Sequence, residues 1–155
     1  MPNIRALLEQ ETGLVDRLLR ILAEEQVALR SAAPEGLEAM TLERLALVDQ
    51  INRLETERNT VLADQFAGLS SAAAMGRWLA SNNAGQSASL MWEQLLDKAR
   101  QARYQLDINA GLIRLHLEKT GQALDVLRNN EHRATLYGSD GYTASGSRGR
   151  ISDSA

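Results

Sequence analysis

The chain of 155 residues contains no cysteine, which excludes disulfides, thiol nucleophiles and every thiolate metal site. Aromatic residues make up only 4%, so aliphatic side chains must fill any core. No stretch approaches the 18 consecutive apolar residues of a membrane span. The opening MPNIRALLEQE scatters charge where a secretory leader needs a basic start and an apolar run, so a soluble, cytoplasmic protein is expected. There is no Gly-Lys pair, and neither GxGxxG nor GxSxG occurs, so phosphate-cradling loops and the nucleophile elbow are excluded.

Two histidines, His116 and His132, are present. Neither sits in a ligand-like array of carboxylates, so no metal and no cofactor is expected, and His116 is expected at the edge of an apolar stripe. The closest carboxylate pairs, Glu24-Glu25 and Glu55-x-Glu57, stand one and two positions apart, where helical side chains do not face each other. They read as surface residues, and no enzyme is expected. Fifteen of the 17 basic residues are Arg, yet the net charge is −3. Residues 1–66 hold 12 acids and 7 bases and residues 67–155 hold 8 acids and 10 bases, which makes neither half a nucleic-acid footprint.

What is present is helical periodicity. Leu8, Val15, Leu22 and Leu29 recur every seven residues, flanked by Leu7, Leu14, Ile21, Leu18 and Leu19, and predict a helix over about 3–30 with Gly13 inside it. After Ser31-Ala-Ala-Pro34, a second helix is expected over about 34–68, with Pro34 in its first turn and Met40, Leu47, Leu54 and Val61 as its stripe. Its charge-dense stretch 41–60 reads as a solvated face. A short helix over 72–80 would be clamped by Met75, Trp78 and Leu79. The third long helix is expected over 87–130, with Trp92, Ala99, Leu106, Ile113, Thr120 and Leu127 in line and Leu95, Leu96, Ala110, Leu117 and Leu124 beside them. Trp78 and Trp92 read as core plugs. Asn109 falls on or beside the core face: buried, its amide would fix register or partner choice; at the edge, it would face water.

At 1.5 Å per residue the third long helix would be about 60 Å and the first about 40 Å. The expected fold is all-α, an elongated antiparallel bundle of three long helices with a short extra helix, occupying 1–130. Residues 131–155 hold four Gly and five Ser beside Leu136, Tyr137, Tyr142 and Ile151. They bury too little to offset ordering entropy, so a flexible, partner-binding tail is expected. The tail is formally neutral, with Arg133, Arg148 and Arg150 against Glu131, Asp140 and Asp153, which argues against nucleic acid.

Three long helices, then GQALDVLRNN, then Leu136-Tyr137-Gly138-x-x-Gly141-x-Thr143 and a Ser/Gly/Arg tail resemble the FlgN family of bacterial flagellar export chaperones over essentially the whole length. Tyr142 stands where a polar residue is expected. The resemblance implies a cytosolic chaperone of the hook-filament junction proteins FlgK and FlgL. It would hold their amphipathic C-terminal helix with its own C-terminal region and dock on the cytosolic domain of the export-gate protein FlhA. It further implies cargo contacts by Leu117, Leu124, Leu127, Leu136 and Ile151, and gate docking through Tyr137. The competing reading is a structural coiled-coil adaptor or homo-oligomeric helical subunit, whose stripes would close on other copies.

Overall fold

The computed structural model describes residues 2–31, 35–81 and 84–136, with side chains described as far as residue 133. Four helices make up the described chain: α1 (Ile4–Arg30), α2 (Leu37–Gln65), α3 (Ser71–Ala80) and α4 (Gln86–Leu136). The chain divides into two units, 1–112 and 113–155.

The helix ends follow from local chemistry. Asn3 caps α1, its side-chain oxygen accepting from the Arg5 N–H at 3.0 Å, which satisfies one of the donors that a helix start leaves open. The expectation that α2 starts at Pro34 falls on a residue outside the described set. The helix itself begins at Leu37, after Gly36 at φ 75, a left-handed conformation that glycine takes at little cost. It ends at Gln65, three residues short of the expected bound, because Phe66 leaves helical geometry and Gly68 turns at φ 82. Ser70 then caps α3 by accepting from the Ala73 N–H. Leu136 closes α4, six residues beyond the expected end, so residues 131–136 of the expected tail are helical. The rest of that tail, 137–155, lies outside the described residues.

Within 1–112, α1 and α2 form an antiparallel hairpin, since Glu11 pairs with Arg58 and Glu25 with Arg44. α4 runs parallel to α1. Arg5 donates to Ser87 (2.8 Å), Lys98 to Asp16 (3.1 Å) and Asn109 to the Leu22 carbonyl (3.0 Å), partners that advance together along both helices. The result is an up-down-up three-helix bundle. α3 lies against it through Ala74, Met75 and Trp78, all buried, with Leu79 partly buried against the core. Full burial of Leu8, Leu22, Leu47 and Leu62 contributes about 1.5–3 kcal/mol each.

The stripe expected on α1 is the buried one, from Leu8 to Leu29. A second buried row escaped the sequence reading: Ile4, Glu11, Leu18 and Glu25, also seven apart. Glu25 is 0% exposed, which corrects its reading as a surface residue, while Glu24 is exposed. Arg58, in the stretch read as a solvated face, is buried too. On α4 the buried line is Ala88, Leu95, Ala102 and Asn109, rather than the row beginning Trp92, Ala99 and Leu106. Trp92 and Leu106 flank it half-buried, and Ala99 and Ala110 are exposed. The small side chains of Ala88 and Ala102 turn toward the hairpin, while the larger Trp92 and Leu106 close its edges.

Candidate partner-binding site

The bundle is held in one register by buried polar groups. Glu11 and Glu25 stand two heptads apart on α1, and their partners Arg58 and Arg44 two heptads apart on α2. Sliding either helix by one heptad would separate both pairs. Glu25 is the hub of the second pair, accepting from Arg44 Nε at 3.1 Å, Asn109 Nδ2 at 2.9 Å and Thr41 Oγ1 at 3.3 Å. Asn109, 1% exposed, is therefore a core residue, and its amide ties α4 to the Leu22 carbonyl and to Glu25. Arg58 also stacks 5.0 Å from the centre of the Trp92 ring, binding α2 to α4 through a cation–π contact.

Burial pushes the Glu11 carboxyl above its ordinary value, and the charge and hydrogen bond of Arg58 oppose that rise. The arrangement lies buried between the helices it positions, with Glu11 Oε1, Arg58 Nε and Asn109 Oδ1 left without hydrogen-bond partners. Among the described residues, no group of three or more His, Asp or Glu could hold a metal, and no helix is long and apolar enough to cross a membrane.

The second unit is different. On residues 113–136 of α4, Leu115, Leu117, Leu124, Val126 and Leu127 are between 52% and 67% exposed. Ile113, Leu117, Thr120, Leu124 and Leu127 follow one another at alternating steps of four and three, the spacing of a seam that seats another helix. Charged neighbours, among them Arg114, Glu118, Lys119, Asp125 and Arg128, are exposed as well. Leu115 and Val126 lie on the opposite side of the helix and were missed by the sequence reading, because they break the seven-residue period that carried it.

Of the residues expected to touch cargo, Leu117, Leu124 and Leu127 share that exposed seam. Leu136 is the last residue of α4, and its side chain is not among those described. Ile151 and the expected gate-docking Tyr137 lie outside the described residues. His116 is half-buried, and its backbone carbonyl accepts from Thr120 Oγ1 at 2.9 Å.

Comparison with known proteins gives this helical pattern a family. The chain is 29% identical over 143 residues to the flagella synthesis protein FlgN of Yersinia enterocolitica serotype O:8 / biotype 1B, covering 87% of this chain and 85% of that one. It is 26% identical over 151 residues to the protein of the same name from Salmonella typhimurium, covering 96% of each. No solved structure gives a significant match. The model of the FlgN protein family matches residues 1–145, spanning the bundle, the exposed α4 seam and the first nine of the 19 residues after α4, and the chain belongs to the FlgN family.

Proposed function

We propose that the protein is a cytosolic flagellar export chaperone that binds the amphipathic C-terminal helix of the junction proteins FlgK and FlgL and brings them to the export gate through FlhA. The observation that carries the reading is the apolar seam of Leu117, Leu124 and Leu127, exposed on α4 in a member of this family. A cargo helix with its own apolar stripe would self-associate if left bare. A helix laid against the seam covers both surfaces without any chemical step. Leu136 and Ile151 would extend the contact, and Tyr137 would meet FlhA. Ordering the C-terminal segment on contact offsets part of the gain in buried area and keeps release easy.

Co-purification with a junction protein of intact terminal helix tests the proposal. The whole chain is expected to retain cargo, and Leu117→Asp/Leu124→Asp/Leu127→Asp to lose it with an unchanged helical circular-dichroism signal. Truncation after Arg133 keeps the seam and removes residues 134–155: retained binding places recognition on α4 alone. Tyr137→Ala is expected to bind cargo normally and to bind the FlhA cytosolic domain poorly. Equal cargo retention by the parent and the triple variant would defeat the reading. The exposed seam also fits a homo-oligomeric coiled coil, which sedimentation would reveal as a dimer of the free chain that the same triple variant dissolves.

A further inference from the structure

The outer seam of the α1–α2 hairpin, formed on α1 by the face carrying Gly13, Arg17, Arg20, Glu24 and Val27, is not used by the bundle. Three adjoining depressions of about 580, 200 and 600 Å³ follow it. The first and second share Arg17 and Arg20, and the second and third share Glu24. The floor is apolar at its two ends, with Leu14 and Leu54 at one and Val27, Ala28 and Met40 at the other, while the middle is polar, lined by Arg17, Arg20, Glu24 and Glu43 over the buried Ile21. From Gln10 to Ser31 the groove runs for about 30 Å, or about six helical turns.

Its rim is polar in a directional way. Arg17, Arg20 and Arg53 surround the first depression, whereas Glu24 and Glu35 border the third. Arg17 meets Glu43 at 3.9 Å and Arg53 meets Asp49 at 2.9 Å, both in exposed pairs of the kind that solvent weakens and an incoming carboxylate can displace. Arg20 has no ion-pair partner among the described residues.

We propose that this groove docks an amphipathic helix of a partner protein, acidic at one end and basic at the other. Its acidic end meets Arg17, Arg20 and Arg53, its apolar side chains rest on Leu14 and Leu54 at one end and on Val27, Ala28 and Met40 at the other, and its basic end meets Glu24 and Glu35. A shallow seam between two packed helices accepts a third by ridge-into-groove packing, with the exposed Arg17–Glu43 pair parting at its middle. Acidic residues favour the first turns of a helix and basic residues the last, so the partner runs in the same direction as α1. A second copy of this chain matches the charge pattern in an antiparallel arrangement, but two concave seams leave each other unfilled. The inference is independent of the cargo reading, because every residue of the groove lies in α1, α2 or the turn between them.

A fluorescein-labelled synthetic helix of about 22 residues, with a Leu/Ala stripe, Glu in its first two turns and Lys in its last two, tests it against the full chain by anisotropy. Companion peptides carry Glu at both ends or Lys at both ends. The bipolar peptide is expected to bind about fivefold tighter than either companion at low salt, and the gap to close as salt screens the rim. At Gly13 an added Cβ meets nothing within 4 Å, so Gly13→Leu fills the channel while improving helix propensity. It is expected to weaken binding about tenfold, roughly 1.4 kcal/mol, with the melting temperature held or raised. Arg20→Glu should shift preference toward the peptide with Lys at both ends. Equal affinity for all three peptides overturns the proposal, as does undiminished binding by Gly13→Leu. A parent dimer that Gly13→Leu converts to monomer would give the groove to a second copy and overturn it as well.

Discussion

Residues 4–112 and residues 113–136 carry the same alternation of apolar positions, and only the first stretch has it covered. Leu8, Leu22 and Leu47 are at most 2% exposed, while Leu117, Leu124 and Leu127 are at least 54% exposed. Heptad spacing therefore reports that a helix has an apolar face without saying what closes over it. In the bundle the covering elements are other parts of the same chain. Among the described residues, unit 113–155 contains no second element to serve α4 in that way. The chaperone reading rests on that open face, and this contrast supports it more than any single residue does.

The largest effect that would break the comparison comes from the polar contacts found only in the bundle. Arg58→Ala leaves the Glu11 carboxylate buried without its cation and removes the stack on Trp92. Losing one partner of a buried pair costs about 3–5 kcal/mol, measurable as a shift of the urea midpoint at neutral pH. The loss is also pH-dependent. Glu11 already has a folded-state value above its ordinary 4.5, so its contribution is fully present below that pH and is lost as pH rises through the folded value. Without Arg58 the folded value rises further. The deficit of the variant against the parent should therefore be greatest at neutral pH and shrink as pH falls toward 4.5, and a deficit that grows in acid would contradict this account.

A smaller effect sets the two regions side by side. Leu22→Ala empties a site that is 0% exposed and is expected to cost about 3 kcal/mol in transfer and cavity terms. Leu124→Ala truncates a side chain that is 54% exposed and should stay within about 0.5 kcal/mol of the parent. Thermal melts of the free chain would show this asymmetry. Comparable losses would mean that the α4 seam is already covered in solution.

Much of the bundle could be read from the sequence, because apolar rows at helical spacing leave few ways to pack. The α1 stripe, the short helix with Met75 and Trp78, and the absence of strands among the described residues all follow from that spacing. The row Ile4, Glu11, Leu18 and Glu25 was obscured because two of its four members are charged, and apolar periodicity alone passes over a buried carboxylate. The signal was the repetition itself: two Glu and two Arg, each pair separated by two heptads, on helices expected to pack antiparallel. On α4, Ala88 and Ala102 were overlooked for the opposite reason, since small residues add little to an apolar stripe although they mark where helices approach most closely. The exposed seam was legible in Leu117, Leu124 and Leu127. Its openness was not, because exposure depends on what the rest of the chain leaves uncovered.

The smallest effect separates the regions by cooperativity. Gly13 in α1 and Gly121 in α4 both sit within helices where an added Cβ meets nothing within 4 Å, so alanine at either position should stabilise its helix by up to about 1 kcal/mol. In the bundle that gain belongs to a cooperative unit: Gly13→Ala should raise the melting temperature and slow exchange of the most protected amides throughout 1–112. Residues 113–136 have few buried side chains to couple their helix to global unfolding, so the gain from Gly121→Ala should remain local. Amides near residue 121 would exchange several-fold more slowly, with the melting temperature of the bundle unchanged. When a cargo helix occupies the seam, folding and binding of this stretch become linked, and Gly121→Ala should tighten cargo binding by up to about fivefold through reduced ordering entropy. A rise in the bundle melting temperature with Gly121→Ala in the free chain would show instead that the two stretches unfold as one.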